Sequence, residues 1–343
     1  MKIRNLLAIL AIGFVVGCAS DSGSGSAATT TGTPAAGGTA SKDGGTFKVA
    51  LLTPGPVSDN GWSALAYTGL QEIKSQLGAE VANQEASGSK IKDAMRTYAQ
   101  DHYNLVFGHG FEYNEFGVQV AKDFPDTVFV SSSGGKTAPN AGAFRFYLEQ
   151  GCYLAGMMAA KMSKSGTVGS VAVQNYPSIV STLKAFEAGA RAANPAIKII
   201  PTVYIGSETD VAKAKQATEQ VLAQGADFVI HQANATASGV FQACKAKGAY
   251  AFGTNADQNS DPSGIVIASA TIVAGPAFVD LAKQVKAKTY KGSVQLFGMD
   301  KGAIDFVINP ALKDKVPADL QKMLTDAMAN IKAGKLVVPK DEF

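Results

Sequence analysis

Two side chains suited to ligand recognition stand three residues apart, just after the first apolar run of the foldable chain. Asp59 carries a carboxylate, and Trp62 is the only tryptophan in the sequence. The carboxylate either accepts hydrogen bonds from ring N–H or amino groups or caps a helix. The indole either stacks on a flat ring, which we favour, or opens the apolar face of that helix. Together they predict a site for a small, flat, polar molecule.

Polar and aromatic side chains also follow the other predicted strands, at the point where each strand ends. In open α/β sheets, ligands bind outside the carboxyl ends of the strands. Rings placed there stack on a ligand, while amides and carboxylates read its edge. An anion would fit poorly, because no basic cluster accompanies these residues. The predicted ligand-binding residues are Ser58, Asp59, Trp62, Phe111, Glu112, Tyr176, Gln232, Asn234 and Asp257.

Signatures of catalysis and of cofactor binding are weak. The sequence has no Walker motif and no serine nucleophile elbow. His102, His109 and His231 are far apart and lack metal-ligand spacing. We therefore predict a binding protein rather than an enzyme, with no cofactor and no metal site.

The N-terminus has the pattern of a targeting segment. Lys2 and Arg4 precede an apolar run that is too short to span a membrane, which takes roughly 20 residues. The run ends in Val-Val-Gly-Cys18, which resembles a bacterial lipobox, so we expect residues 1–18 to be a lipoprotein signal and Cys18 to receive lipid. A plain secretory signal is the alternative. Residues 19–45, rich in Gly, Ser, Thr and Ala, predict a flexible linker.

Charge and cysteine usage narrow the class of protein further. The net charge is +3, and removal of the two basic residues of the signal leaves +1, so nucleic acid is not an expected partner. Cys152 and Cys244 both fall in helical patterns. They could pair in an oxidising compartment, but we favour two buried free thiols.

Strand and helix patterns alternate in two successive series. They predict two doubly wound, mostly parallel α/β domains. The expected crossings between domains lie near Tyr147–Gln150, near Thr254 and near Thr271. Arg145 is expected to pair with a carboxylate near the junction. The predicted division is lobe I at 46–147 plus 271–300, lobe II at 148–270, and a C-terminal segment, 301–343, packing on the lobes.

Four stretches of the sequence resemble the basic membrane protein family of bacterial lipoproteins, the substrate-binding components of ABC importers. The resemblance extends over roughly residues 46–335. The stretches are Pro54-Gly-Pro-Val-Ser-Asp-Asn-Gly-Trp62, Gly110-Phe111 with Phe124-Pro-Asp-Thr-Val-Phe129, Gly151-Cys-Tyr-Leu-Ala-Gly156 with Ala159-Ala-Lys161, and Gly253–Asp257.

The resemblance implies a type I periplasmic-binding-protein fold whose lobes close like a hinge on a purine base or nucleoside. The Gly-Pro-x-x-Asp-x-Gly-Trp turn is similar to that of the base-binding subgroup. Trp62 stands near the family's stacking Phe, and Asp257 matches an acidic position. Ala270 and Thr271 stand where nucleoside binders carry a lysine, so ribose contacts are not expected.

The implied activity is capture without chemistry. A monomer anchored by lipid in the cell envelope, facing the periplasm or the exterior, would deliver its ligand to an ABC permease with its ATPase. Alternatives are a ligand-loaded sensor or surface lipoprotein, a binder of another small polar solute such as a sugar, or an exported enzyme acting on a nucleoside.

Overall fold

The computed structural model describes residues 45–59 and 61–342. The predicted signal segment 1–18, its lipidation site Cys18 and residues 19–44 of the predicted linker lie outside this range.

Strands and helices alternate through the described residues. In chain order the strands are β1 (Lys48–Thr53), β2 (Glu80–Glu85), β3 (Leu105–His109), β4 (Val128–Ser132), β5 (Ala141–Phe146), β6 (Thr167–Ala172), β7 (Lys198–Ile199), β8 (Val203–Tyr204), β9 (Phe228–Gln232), β10 (Tyr250–Asn255), β11 (Val266–Ile272), β12 (Val294–Phe297) and β13 (Ile304–Ile308). The helices are α1 (Trp62–Leu77), α2 (Lys90–Gln100), α3 (Glu112–Ala121), α4 (Glu149–Met162), α5 (Pro177–Ala193), α6 (Val211–Ala223), α7 (Ala237–Lys247), α8 (Gly275–Lys286) and α9 (Ala318–Lys332).

The first sheet orders its strands β12-β5-β4-β3-β1-β2, and all of its paired strands are parallel. Four consecutive residues of β1, Val49–Leu52, have no solvent exposure. Parallel strands covered by helices on both faces require such continuous apolar runs. Helix α1 packs against α8, where a Cβ at Gly69 would overlap the ring of Phe278.

The second sheet orders its strands β13-β11-β10-β9-β6-β7, with β8 also paired to β6. Only the pairing of β13 with β11 is antiparallel among its described pairs. The sequence predicts one strand over Ile197–Tyr204, but the structure has the short strands β7 and β8. Pro201 lies between them, and proline cannot donate a hydrogen bond to a neighbouring strand.

Within the described residues the chain passes between the sheets after β5, after β11 and after β12. The first two passages agree with the crossings expected near Tyr147–Gln150 and near Thr271. The crossing expected near Thr254 is wrong, because β10 and β11 are parallel neighbours in the second sheet and Thr254 pairs with Ala270. The passage from β12 to β13 was not predicted.

Helices α4 and α5 approach each other backbone to backbone. A Cβ at Gly156 would overlap the carbonyl oxygen of Phe186, and one at Gly189 would overlap that of Tyr153. Glycine permits this approach because it has no side chain. The contact holds the first residue of α4, Glu149, against Ser181 of α5, whose hydroxyl donates to its Oε1 at 2.6 Å.

The two parallel-dominated α/β sheets confirm the predicted fold class. Cys152 and Cys244 are buried free thiols, as we favoured. Among residues 45–59 and 61–342, no helix combines the length and the apolar character needed to cross a membrane.

Candidate functional site

A cavity of about 70 Å³ lies where the carboxyl ends of strands from both sheets come together. Because one water molecule needs about 10–15 Å³ of such space, the cavity has room for several waters or a small ring system. Its lining residues are Pro54, Trp62, Gly110, Phe111, Glu112, Ser133, Arg145, Phe146, Leu148, Glu149, Val173, Tyr176, Ser178, Ile179, Thr182, Glu208, Gln232, Asn234, Asn255 and Ile272. Most of them end a strand or follow one within a few residues, which is the placement that the sequence predicts.

The indole of Trp62 forms one wall of the cavity and is held from behind by His109. The two rings stack with centroids 3.8 Å apart and planes 20° apart. Trp62 Nε1–H donates to the carbonyl of His109 at 3.1 Å. His109 Nε2 lies 2.9 Å from the carbonyl of Trp62, and since a carbonyl only accepts, Nε2 carries the proton. Burial lowers the pKa of His109 to about 3, so the imidazole stays neutral.

Phe111 and Glu112 reach the cavity from the start of α3, directly after β3. Burial raises the pKa of the Glu112 carboxyl to about 7, and the charge of Glu208 adds to this effect. A carboxyl group with this pKa is an acceptor when ionised and a donor when protonated. Glu112 can therefore meet either kind of polar atom on a ligand.

The second sheet contributes amides and a second carboxylate. Gln232 ends β9 and donates through Nε2 to Thr182 Oγ1 at 3.2 Å. Asn234 donates through Nδ2 to Glu208 Oε2 at 3.1 Å. Burial raises the pKa of Glu208, while this hydrogen bond lowers it and nearby Asp59 raises it.

A buried ion pair closes another side of the cavity. Arg145 and Glu149 have side chains that are each 4% exposed, with 3.4 Å between Nη2 and Oε1. Arg145 also donates to the backbone carbonyl of Asp341 at 3.1 Å and lies 3.7 Å from the Glu342 carboxylate. Glu149 Oε2 is buried and has no hydrogen-bond partner among residues 45–59 and 61–342, and burial raises the pKa of this carboxyl. Arg145 thus pairs with a carboxylate, as expected, although it lines the cavity too.

Three lining residues have backbones in the left-handed region that favours glycine. Their φ angles are 69° at Ser133, 47° at Asn234 and 68° at Asn255. Such conformations concentrate at ligand sites, where the surrounding structure holds them in place. Each one turns the chain sharply where a strand ends.

Six of the nine predicted ligand-binding residues line this cavity. They are Trp62, Phe111, Glu112, Tyr176, Gln232 and Asn234.

The structure does not bring the other three to the cavity. Ser58 is exposed. Asp59 is buried at the start of α1, where its two oxygens accept from the backbone N–H groups of Gly61, Ser63 and Ala64. It therefore caps the helix, which is the alternative role that its residue type allows. Asp257 is exposed, and its Oδ1 accepts from the backbone N–H of Asn259 in a local turn.

Sequence reasoning missed several lining residues, among them Glu208, Asn255 and Glu149. Asn255 ends β10 and lies two residues before the predicted Asp257. Glu208 lies four residues after Tyr204, where both the predicted strand and β8 end, so the strand-end signal could have marked it. Glu149 begins α4 three residues after β5 ends, in the segment that the sequence predicts as a crossing between domains rather than as a ligand-facing strand end.

Comparison with known proteins gives a consistent picture. The family model described as ABC transporter substrate-binding protein PnrA-like, Bmp, matches residues 46–342. A purine-binding protein of Brucella abortus is 29% identical over 294 residues, covering 84% of this chain and 82% of that protein. The transcriptional activator protein Med of Bacillus subtilis is 29% identical over 299 residues, covering 86% and 91%.

Solved structures agree with the sequence comparisons. An ABC transporter solute-binding protein from Conexibacter woesei superimposes with a TM-score of 0.68 at 25% identity, covering 86% of this chain and 99% of that one. The cavity between the sheets thus occurs in a chain whose fold is that of a solute-binding protein.

Proposed function

This chain belongs to the Bmp family of PnrA-like ABC transporter substrate-binding proteins, and we propose that it captures a purine base or nucleoside and delivers it to an ABC permease. Members of this family bind small molecules outside the cytoplasm and work with such permeases. We infer that the ligand is a purine from the chemistry of the cavity and from the similarity to a purine-binding protein.

The observation that carries this proposal is the combination of one aromatic wall with polar groups around it. Trp62 presents an indole to the cavity, while Glu112, Gln232 and Asn234 present carboxyl and amide groups. A purine has a flat ring that can stack on the indole. Its edge carries N–H donors and ring-nitrogen acceptors that can pair with the carboxyl and amide groups.

We further propose that the two sheets form the cores of two lobes, and that an open form captures the ligand before the lobes close. The six lining residues that the sequence predicts would contact it: Trp62, Phe111, Glu112, Tyr176, Gln232 and Asn234. Lipid on Cys18 would hold a monomer to the membrane. Capture would be selective because a buried polar group without a partner costs about 1–3 kcal/mol.

Thermal unfolding of the full chain against purine bases, nucleosides, sugars and amino acids tests the function. A ligand at 100 times its Kd stabilises the folded state by about 2.7 kcal/mol, which raises Tm measurably. We expect a rise with purine bases that Trp62→Ala abolishes and Tyr204→Ala leaves intact, because Tyr204 is an exposed ring outside the cavity lining. A rise only with sugars or amino acids would refute the purine assignment.

A further inference from the structure

The cavity receives carboxyl groups from both sides. Glu112 begins α3 after a strand of the first sheet, and Glu208 precedes α6 of the second sheet. Both line the same cavity, and the charge of Glu208 raises the pKa of Glu112. The hydroxyl of Tyr176, another lining residue, lies within the influence of both carboxylates.

The positive charge at the cavity is already engaged. Arg145 is the only basic side chain among the described lining residues. It forms ion pairs with Glu149 and Glu342 and donates to the backbone carbonyl of Asp341. Lys136, which lines a neighbouring pocket together with Glu112, pairs with Glu115. The cavity lining thus holds three carboxyl groups, Glu112, Glu149 and Glu208, and one basic side chain that is already paired.

The carboxylate of Glu208 can accept a hydrogen bond from a ligand. Asn234 Nδ2–H donates to its Oε2. Among the described residues, no side chain or backbone group donates a hydrogen bond to Oε1. Glu208 is partly buried, so a ligand donor at Oε1 would replace hydration that closure removes.

We propose that Glu208, together with Glu112, selects the charge of the ligand: the cavity accepts a neutral or cationic heterocycle that donates N–H groups to these carboxyl groups, and it excludes anionic heterocycles. This inference deepens the proposed function and rests on it. A ligand N–H pairs with an acceptor that lacks a donor. An anion in the cavity meets the like charge of the Glu208 carboxylate, and that of Glu112 where this group is ionised.

The probes are adenine, which is neutral and donor-bearing at neutral pH, and urate, an anion with the same bicyclic skeleton that carries three oxo groups. Binding of each is measured by titration calorimetry on the full chain, for the wild type and for Glu208→Gln, Glu112→Gln and Glu219→Gln. Glu219 is the control, since it is an exposed glutamate of α6 outside the cavity and pairs with Lys215.

We expect the wild type to bind adenine and to show no binding of urate. Glu208→Gln should weaken adenine about tenfold, because an amide is a poorer acceptor than a carboxylate, and should allow urate to bind. Glu112→Gln should also weaken adenine binding relative to urate binding. Glu219→Gln should leave both unchanged.

Three outcomes would contradict the inference in different ways. If the wild type binds adenine and urate equally, the charge filter is refuted while the proposed function stands. The same holds if both cavity variants bind adenine as the wild type does and still exclude urate. If the wild type binds no purine of any charge, the proposed function fails and the inference fails with it.

Discussion

Trp62 and His109 form two reciprocal hydrogen bonds. The side chain of each residue donates to the backbone carbonyl of the other, at 3.1 Å from Trp62 and 2.9 Å from His109. The remaining His109 nitrogen, Nδ1, accepts from the hydroxyl of Ser132 at 2.7 Å. Every polar atom of both rings is thereby satisfied. The cavity wall is a rigid indole whose orientation is set by a residue that does not line the cavity.

His109→Ala should weaken ligand binding although His109 does not face the cavity. The substitution removes the stacking surface and both side-chain hydrogen bonds of the imidazole, so the indole gains freedom that binding must then remove. We expect a loss of about 2–3 kcal/mol in unfolding free energy. Because Trp62 is the only tryptophan, intrinsic fluorescence reports directly on this wall.

The expected fluorescence change is a red shift of the emission as the indole becomes more exposed. His102→Ala is the control, since His102 is exposed at the end of α2. Unchanged emission and unchanged ligand affinity in His109→Ala would show that the indole keeps its position without the imidazole.

Asp59 should prove to be a helix cap rather than a ligand contact. Asp59→Ala leaves three backbone N–H groups without their acceptor and should cost about 1–2 kcal/mol of stability. Asp59→Ser, which keeps a capping oxygen, should recover most of it. Ligand affinity measured by calorimetry should be nearly the same in the serine variant and the wild type. A large loss in the serine variant would mean that the carboxylate itself touches the ligand.

The sequence reveals the strand ends but not the direction in which each side chain leaves them. Trp62 and Gln232 were predicted correctly to lie where strands of an open sheet end, because that edge follows from topology alone. Asp59 and Asp257 lie near the same edge, yet their oxygens bind local backbone N–H groups. Asx residues have both options, and only the folded backbone decides between them.

Contacts between residues far apart in the sequence could not be predicted either. Glu149 and Ser181 are 32 residues apart and meet because α4 and α5 pack at glycines. Glu208, in the segment before α6, accepts from Asn234, which begins a 3₁₀ turn after β9. No local pattern marks either contact, since each depends on how two elements with separate local signals come together.

The Asn255 side chain should matter to the ligand and little to the fold. Its φ of 68° suits glycine, so Asn255→Gly keeps the backbone conformation. We expect unfolding free energy within roughly 1 kcal/mol of the wild type. Affinity should fall about tenfold, equivalent to about 1.4 kcal/mol, because the amide is removed from the cavity.

His102→Gly is the matched control for this variant. His102 has a similar φ of 59° but is exposed and does not line the cavity. It should leave affinity unchanged. Equal affinity in Asn255→Gly and His102→Gly would exclude a ligand contact at Asn255.

Stability should depend on pH through Glu112. Its pKa is about 7 when folded and 4.5 as the ordinary value, so the folded state binds a proton that the unfolded state has released. The contribution of Glu112 is fully present below pH 4.5 and is lost as pH rises through about 7, by roughly 3 kcal/mol. Glu112→Gln removes this dependence.

Urea unfolding of wild type and Glu112→Gln across this pH range isolates the effect. The two should be similar at acidic pH, and the variant should become the more stable one above neutral pH. The buried histidines have the opposite effect on stability in the wild type and in the variant. Burial lowers the pKa of His109 from 6.5 to about 3 and that of His231 from 6.5 to about 4. Their contribution to stability is therefore lost as pH falls below 6.5. A pH-independent difference between the proteins would contradict the assignment to Glu112.

Loss of one partner of the Arg145–Glu149 ion pair should lower the unfolding free energy strongly, whereas replacement of both partners should lower it much less. Arg145→Ala leaves the Glu149 carboxylate buried without its partner and should cost about 3–5 kcal/mol in urea unfolding. In Arg145→Met combined with Glu149→Gln no charge stays buried, and the amide oxygen still accepts from Ser181, so most of the loss should return. Glu342→Gln, with a side chain 78% exposed, should change stability by less than about 1 kcal/mol. If the double variant is as unstable as Arg145→Ala, packing by the arginine rather than pairing of the charges holds this side of the cavity.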